Sequence, residues 1–428
     1  MDRAAAGHER DLPEEGDGAR TPARLTLGVH IQAWKQAIVR RYFPERRFVF
    51  LPFHLSEAQL RRDWLTPALA AQKPDILVWS LNLPPALDAF ARAEQLSVLV
   101  MEDGFIRSAR PNASRTPPLS LALDSRTAYF DARQASDLEV LLETHDFDAD
   151  PALMARAVTG MRAMVERGLS KYNGAAASAP GALYGPKSRP RILVIGQVDG
   201  DASIRFGCTD MRRQDDLVRL AVAEHPDAEV IFRPHPDVVA GVRPTAVDWK
   251  ALARICRIST APAPIAEALS TIDRVYTLTS LAGFEALMRG IPVTVAGYPF
   301  YAGWGLTDDR ASLRRRQRHL SIEALFAGAY LLYPRYFHPR TGAAIDFEQA
   351  LRWLVQPERD ETPSGTVSPF EGAPALGAWT KLRARLLSPV IARVGTAEDA
   401  AYFRAFPKNF FQERPEVSLR RLGRCLFP

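Results

Sequence analysis

Four short segments of this chain bring together residue types that could do chemistry. In Glu102-Asp103-Gly104-Phe105-Ile106-Arg107-Ser108, two adjacent carboxylates follow an apolar run and are turned by a glycine. One carboxylate of such a pair can move a proton if its neighbour or burial raises its pKa, and a guanidinium can clamp an acidic ligand group bidentately. The plainer reading of the segment is a turn with solvated acids. Gly196 to Arg205, GQVDGDASIR, offers Asp199 and Asp201 as nucleophile or base and Ser203 and Arg205 as anion contacts. A calcium loop is its rival, but the downstream Glu of such loops is missing. Phe232 to Asp237, FRPHPD, fixes one histidine between two prolines beside Arg233, a rigid setting suited to a phosphate leaving group. Thr277 to Asp309, TLTSLAGFEALMRGIPVTVAGYPFYAGWGLTDD, places Thr279 and Ser280 at a helix start, with Glu285 in its opening turns. Hydroxyls and free amides there suit a phosphate, and the glutamate suits a ribose. Its aromatic, glycine-rich end would wall a sugar site or fill an interdomain contact. The neighbouring run Arg314-Arg315-Arg316-Gln317-Arg318-His319 reads as a solvated basic stretch.

Each of these segments follows a strand-like run. Apolar runs at 48–51, 76–79 and 98–101 alternate with helical stretches at 57–71 and 85–94, and a helical run at 151–168 follows. A second series begins at Arg191-Ile192-Leu193-Val194-Ile195 and continues at 229–232, 275–278 and 293–295. Strands alternating with helices give parallel sheets whose ligands sit at the strands' carboxyl ends. The expected organisation is a disordered tail at 1–24, a Rossmann-like acceptor-side domain at 25–173 and a linker at 174–190. A second Rossmann-like domain at 191–345 would bind the nucleotide sugar, and a helical extension would occupy 346–428. The fold class is therefore α/β and GT-B-like, two Rossmann-like domains facing a cleft, with C-terminal helices.

At 428 residues the chain is long enough for two such domains, and its 47% hydrophobic and 24% charged content is that of a globular protein. The net charge of +6 favours phosphates, carboxylates or an anionic membrane face; no nucleic-acid partner is expected. Three cysteines without CxxC spacing indicate a reducing compartment and no zinc site. The first residues form no signal peptide, and no run reaches the roughly 20 apolar residues of a membrane span. A cytoplasmic protein, peripheral at most on the inner membrane, is the expectation. The Arg-rich tail from Trp379 could lie on a membrane surface, but packing on the protein with solvated charges is preferred. P-loop, zincin and nucleophile-elbow patterns are absent.

Together and in this order, the four segments resemble the retaining β-Kdo transferases of bacterial capsule polysaccharide biosynthesis. PPLSLALD at 117–124 and SKYN at 170–173 add to the match, which runs from about 98 to 342. The resemblance implies CMP-Kdo as donor, a lipid-linked or Kdo-terminated glycan as acceptor, and no metal or other cofactor. Members often carry two transferase modules, whereas this chain has room for one. Carried across, His235-Pro236 looks like a CMP-phosphate motif shared with bacterial sialyltransferases. Thr279 and Ser280 would add a second phosphate contact, and Glu285 would hold the ribose. Gln197, Ser203 and Arg233 complete the expected donor set. Asp201 is the expected nucleophile, Glu102 or Asp103 the base, and Arg107 and Arg205 the partners of the Kdo carboxylate. Transfer of another CMP-activated sugar such as a sialic acid, or a non-catalytic role in capsule assembly or export, are the alternatives.

Overall fold

The computed structural model describes residues 23–108, 115–173, 183–211, 213–311, 314–356, 370 and 373–427. The expected N-terminal tail up to residue 22, residues 174–182 of the linker, and residues 357–369 and 371–372 of the expected helical extension lie outside the described residues. Among the described residues thirteen strands form two sheets. The first holds β1 (Arg24–Val29), β2 (Arg46–Phe50), β3 (Asp75–Trp79), β4 (Val98–Asp103) and β5 (Ser120–Asp124). The second holds β6 (Arg191–Ile195), β7 (Glu229–Arg233), β8 (Arg257–Ile258), β9 (Arg274–Thr277), β10 (Val293–Val295) and β11 (Asp308–Asp309). β12 (Arg335–Phe337) and β13 (Ala344–Ile345) return to the first, giving the order β13-β12-β5-β4-β3-β1-β2.

The second sheet is parallel throughout, in the order β11-β10-β9-β6-β7-β8. Counted along the chain from β6, that is the 3-2-1-4-5-6 order of a dinucleotide-type fold, whose switch point lies between β6 and β9. The apolar run Ile192–Ile195, buried at every position, is what a central parallel strand covered on both faces requires, and Arg191 at its start is buried against Glu229. In the first sheet β1 to β4 are parallel, while β5, β12 and β13 run antiparallel at one side.

This topology corrects the expected domain boundary at 345. Residues 335–345 belong to the first sheet, where Tyr336 pairs with Ser120. Strands of two or three residues carry too little periodicity to show which sheet they join. The helices that follow also pack on the first domain. Tyr402, Phe403, Phe410 and Phe411 share a cluster with Trp34, Phe43, Met101 and Phe337.

The two domains share one core. Phe105 and Leu119 from the first and Val275, Phe284, Phe300 and Trp304 from the second are buried in a single cluster, together with Phe326 and Tyr330. Phe300 thus joins the domains as well as facing the cleft, with its ring 4.6 Å from that of Phe105. The basic run at 314–319 is not a solvated face. Arg316 is 7% exposed and donates to Glu139 (2.8 Å) and to the carbonyls of Pro299 and Ala302. Arg315 pairs with the same carboxylate, and Arg318 donates to the His145 carbonyl at 2.6 Å. A run of arginines gives no sign in sequence that carbonyl groups from two elements converge on it.

Removing the Glu139 carboxylate would leave the Arg316 guanidinium buried without its hydrogen-bonded counter-charge. Glu139→Gln is expected to lower unfolding free energy by about 3 kcal/mol in urea denaturation, whereas Glu143→Gln on the same helix should change it little.

Candidate active site

The strand-end loops of the second sheet are stitched together at its switch point. Gln197, 7% exposed after β6, donates to Thr279 Oγ1 (3.0 Å) and accepts from the Thr279 N–H (2.9 Å). Gln214 holds the Gln197 backbone in turn, through its Oε1 and Nε2. Thr279 Oγ1 donates to Ser203 Oγ, which donates to Asp201 Oδ1 at 2.7 Å. Gly196 and Gly283 allow the close approach. A Cβ on Gly196 would meet the Pro234 backbone at 2.8 Å, and one on Gly283 would collide with the Tyr301 hydroxyl.

Two adjoining cavities open here, of about 320 and 360 Å³. Lys171, Tyr172, His235, Ser280 and Leu281 line both and form the shared wall. The first cavity reaches Glu102, Tyr129, Asp201 and Phe300; the second reaches Arg233, Pro236 and Glu285. His235 Nδ1 accepts from the Asp237 N–H at 3.1 Å. The neutral ring therefore carries its proton on Nε2, and burial lowers its pKa, so it serves as an uncharged donor.

The carboxylates of β4 sit among buried cations. Burial and the adjoining Asp103 charge raise the pKa of Glu102. Burial would push Asp103 up as well, but Lys35, Arg107 and Lys171 outweigh it and bring it down to about 2. Asp103 Oδ2 accepts from Arg107 Nε at 3.0 Å, while its Oδ1 is buried without a hydrogen-bond partner. Two neighbouring carboxyls whose surroundings push them in opposite directions divide acid and base roles between them. Lys35, from helix Ala33–Tyr42, is brought down to about 8 by burial, against the pull of Asp103 and Glu102, and lies over the Trp79 ring.

The strap Ser170–Asn173 ties the halves together. The Lys171 N–H donates to Glu285 Oε1 (3.2 Å) and its carbonyl accepts from the Arg107 N–H (3.0 Å), while Tyr172 bridges Ser108. Glu285, 3% exposed, is pushed up to about 7 by burial, against Arg289 and the Lys171 N–H.

The structure thus gathers Glu102, Gln197, Asp201, Ser203, Arg233, His235, Pro236, Thr279, Ser280 and Glu285 on the walls of one divided cleft. It leaves both expected partners of a substrate carboxylate outside those walls. Arg107, 4% exposed, is held by Asp103 and Thr116, and Arg205 is exposed beside the Phe206 ring. Their proximity to motif residues in sequence says nothing about which way each faces. Asp201 is exposed and caps helix Ala202–Gly207, accepting from the Ser203 N–H at 2.8 Å. Lys171 was within reach of sequence reasoning through the SKYN motif. Lys35, in the apolar context AWKQAIV, carries no such signal.

Two Rossmann-like domains with a divided cleft between their strand ends, one presenting carboxylates and the other a nucleotide-type switch point, define a GT-B-like protein. The sequence matches the family described as "Capsule polysaccharide biosynthesis protein" over residues 75–166 and 159–336. The lipopolysaccharide-processing protein LpsZ of Rhizobium meliloti is 39% identical over 340 residues, covering 79% of this chain and 75% of LpsZ. The capsule polysaccharide modification protein LipA of Neisseria meningitidis serogroup A is 38% identical over 332 residues, which is 77% of this chain and 45% of LipA. The chain therefore spans less than half of that relative. Among solved structures, the β-Kdo 2,4 transferase of Thermosulfurimonas dismutans KpsC aligns with a TM-score of 0.66 and 30% identity, covering 78% of this chain and 99% of that one. The KpsC β-Kdo 2,7 transferase aligns with a TM-score of 0.61 and 31% identity, at the same coverage. This chain belongs to the capsule polysaccharide biosynthesis family.

A pH prediction follows from Glu285. The folded state keeps its proton up to about pH 7, whereas an unfolded glutamate releases it near its ordinary 4.5. Native protein therefore binds more protons across that window, and stability falls as pH rises through it. Relative to Glu285→Gln, the wild type is expected to lose about 3 kcal/mol of unfolding free energy between these limits. Parallel stability curves for the two proteins from acid to neutral pH would show that Glu285 ionises normally.

Proposed function

We propose that this protein is a retaining glycosyltransferase that moves Kdo from CMP-Kdo to a lipid-linked or Kdo-terminated glycan acceptor in capsule or surface polysaccharide synthesis. The observation that carries the reading is the Glu102–Asp103 pair. Its two members are shifted in opposite directions, and Glu102 shares a cavity with His235, Thr279 and Ser280 of the nucleotide-type sheet. Similarity to the two KpsC β-Kdo transferases supports the choice of sugar.

CMP occupies the second cavity in this scheme. Glu285 meets the ribose, Arg233 and Pro236 line the nucleotide, and His235 Nε2–H and the Ser280 hydroxyl meet the phosphate. Gln197, Thr279 and Ser203 hold the two loops in register. Lys171 borders both cavities and takes the sugar carboxylate in place of Arg107 and Arg205. The nucleophile is reassigned from Asp201 to Asp103. Asp201 lines the first cavity but is exposed and engaged as a helix cap, whereas Asp103, set behind the cavity wall beside Glu102, is ionised at every physiological pH and keeps one buried oxygen without a partner. Asp103 attacks the anomeric carbon as its bond to the CMP phosphate oxygen breaks, and CMP leaves with the electron pair. The acceptor hydroxyl then displaces the aspartate from the same carbon and gives its proton to Glu102, so two inversions retain configuration. Fixed donors around the phosphate stabilise the leaving group.

The test incubates protein, CMP-Kdo generated in situ and a Kdo-terminated acceptor, following CMP release, product mass and anomeric configuration. Asp103→Asn should lower turnover by at least about a thousandfold, while Asp201→Asn, whose amide oxygen still caps the helix, should stay within about tenfold. Without acceptor, the wild type should gain the mass of one Kdo residue and Asp103→Asn should not. The reverse pattern in the two variants returns the nucleophile to Asp201. An inverted product removes the double displacement, and turnover with a CMP-sialic acid but not CMP-Kdo moves the donor assignment.

A further inference from the structure

The C-terminal helices Ala378–Val394 and Val417–Leu426 cover the first domain with one face and leave another open. On the longer helix Ala384 and Ser388 are buried, and Leu387 and Ile391 pack against the aromatic cluster of Tyr402 and Phe403. Its other side is apolar yet uncovered. Trp379, Leu386 and Val394 are 75%, 68% and 79% exposed, and Leu382 and Val390 are exposed between them. Spacings of three and four residues put these five on one stripe. Scattered exposed apolar residues are ordinary, but a continuous stripe of this length marks a contact surface.

The charge around the stripe has one sign. Lys381, Arg383, Arg385 and Arg393 lie on the longer helix and Arg420, Arg421 and Arg424 on the shorter, and neither helix contains an aspartate or glutamate. Arg383 donates to the Leu426 carbonyl at 2.8 Å, so the C-terminal end of the shorter helix meets the first half of the longer one, and Leu419 and Leu422 are exposed on the shorter helix. Among the described residues no helix is long and apolar enough to cross a membrane.

We infer that this face docks on the surface of an anionic phospholipid bilayer, with the stripe at the boundary of headgroups and acyl chains and the arginines among the phosphates. An amphipathic helix with a cationic border and a terminal tryptophan has the composition of an interfacial element. A second copy of the chain is a poorer occupant, because a two-fold contact would set this cationic face against itself. The face is also fixed to the domain that carries the carboxylates. Glu413 accepts from the Ala33 N–H (2.8 Å) at the start of the helix bearing Lys35, and Asp399 pairs with Arg115 (2.7 Å) in the segment leading to β5. Docking would hold the acceptor side of the cleft at the membrane, whichever sugar is transferred.

Co-sedimentation of the full chain with vesicles tests this. Wild type should pellet with mixed phosphatidylcholine–phosphatidylglycerol vesicles, less so as salt is raised, and remain in the supernatant with pure phosphatidylcholine. The double variant Leu386→Glu/Val390→Glu should lose at least about tenfold in binding. Arg385→Gln, Arg393→Gln and Arg421→Gln should each weaken it by about fivefold. These side chains are exposed, so circular dichroism and CMP release with a soluble acceptor should be unchanged, which separates this proposal from the catalytic one. Wild type that stays in solution with both vesicle types overturns the proposal, as does equal binding by Leu386→Glu/Val390→Glu. A dimer in light scattering that the double variant abolishes, without vesicle binding, assigns the face to a second copy instead.

Discussion

Two carboxylates can be buried beside one another in ionised form only if cations are buried with them, and the cleft of this protein is organised around that constraint. Glu102 and Asp103 are consecutive on β4 and lie in the field of Lys35, Arg107 and Lys171. The three cations come from three places: a helix after β1, the loop after β4 and the strap at 170–173. Each is needed at a fixed distance, so the charge balance also fixes the positions of those elements. The same balance explains why Arg107 is unavailable to a ligand. Without it, Asp103 would lose its hydrogen-bonded counter-charge and part of the downward pull that sets it apart from Glu102.

Sequence reading reached the parts of this arrangement that sit on strong local signals. A strand such as RILVI followed by a glycine and polar residues defines a strand end, and strand ends of parallel sheets are where ligands lie. Gln197, His235, Thr279, Ser280 and Glu285 were therefore legible as a group. The direction each side chain faces was not. Arg107 and Arg205 stand next to motif residues but point their charge at Asp103 and at an aromatic ring, and Asp201 looks like a free carboxylate until its helix cap is seen. Lys35 was invisible for a different reason: its role depends on a register between β1 and β4 that no local pattern encodes. The arginines at 315–318 failed the same way, since their partners lie on a helix and a loop far away in sequence.

The shared aromatic core between the domains limits how the cleft can move. Phe105, Phe284, Phe300 and Tyr330 interlock with ring centroids 4.6 to 5.7 Å apart. Close-packed interiors resist continuous deformation. Phe300 is also a wall of the first cavity, so opening there would disturb the packing that joins the halves. The strand-end loops of the second sheet are equally constrained, because the Gln197–Thr279 pair locks β6 to β9. The cleft is in this sense a preorganised one, with its polar groups already oriented before a ligand arrives.

The return of β12 to the first sheet has a consequence for synthesis. All of β6 to β11 is an insertion between two strands that are neighbours in the finished protein, Tyr336 lying against Ser120. On the ribosome, β5 emerges with one edge bare and stays so until the whole inserted domain has been made. An open edge invites pairing with other chains. The inserted domain, contiguous in sequence, can complete its own sheet during that interval. Its folding then delivers β12 to the waiting edge, so the inserted domain also acts as the tether that closes the other.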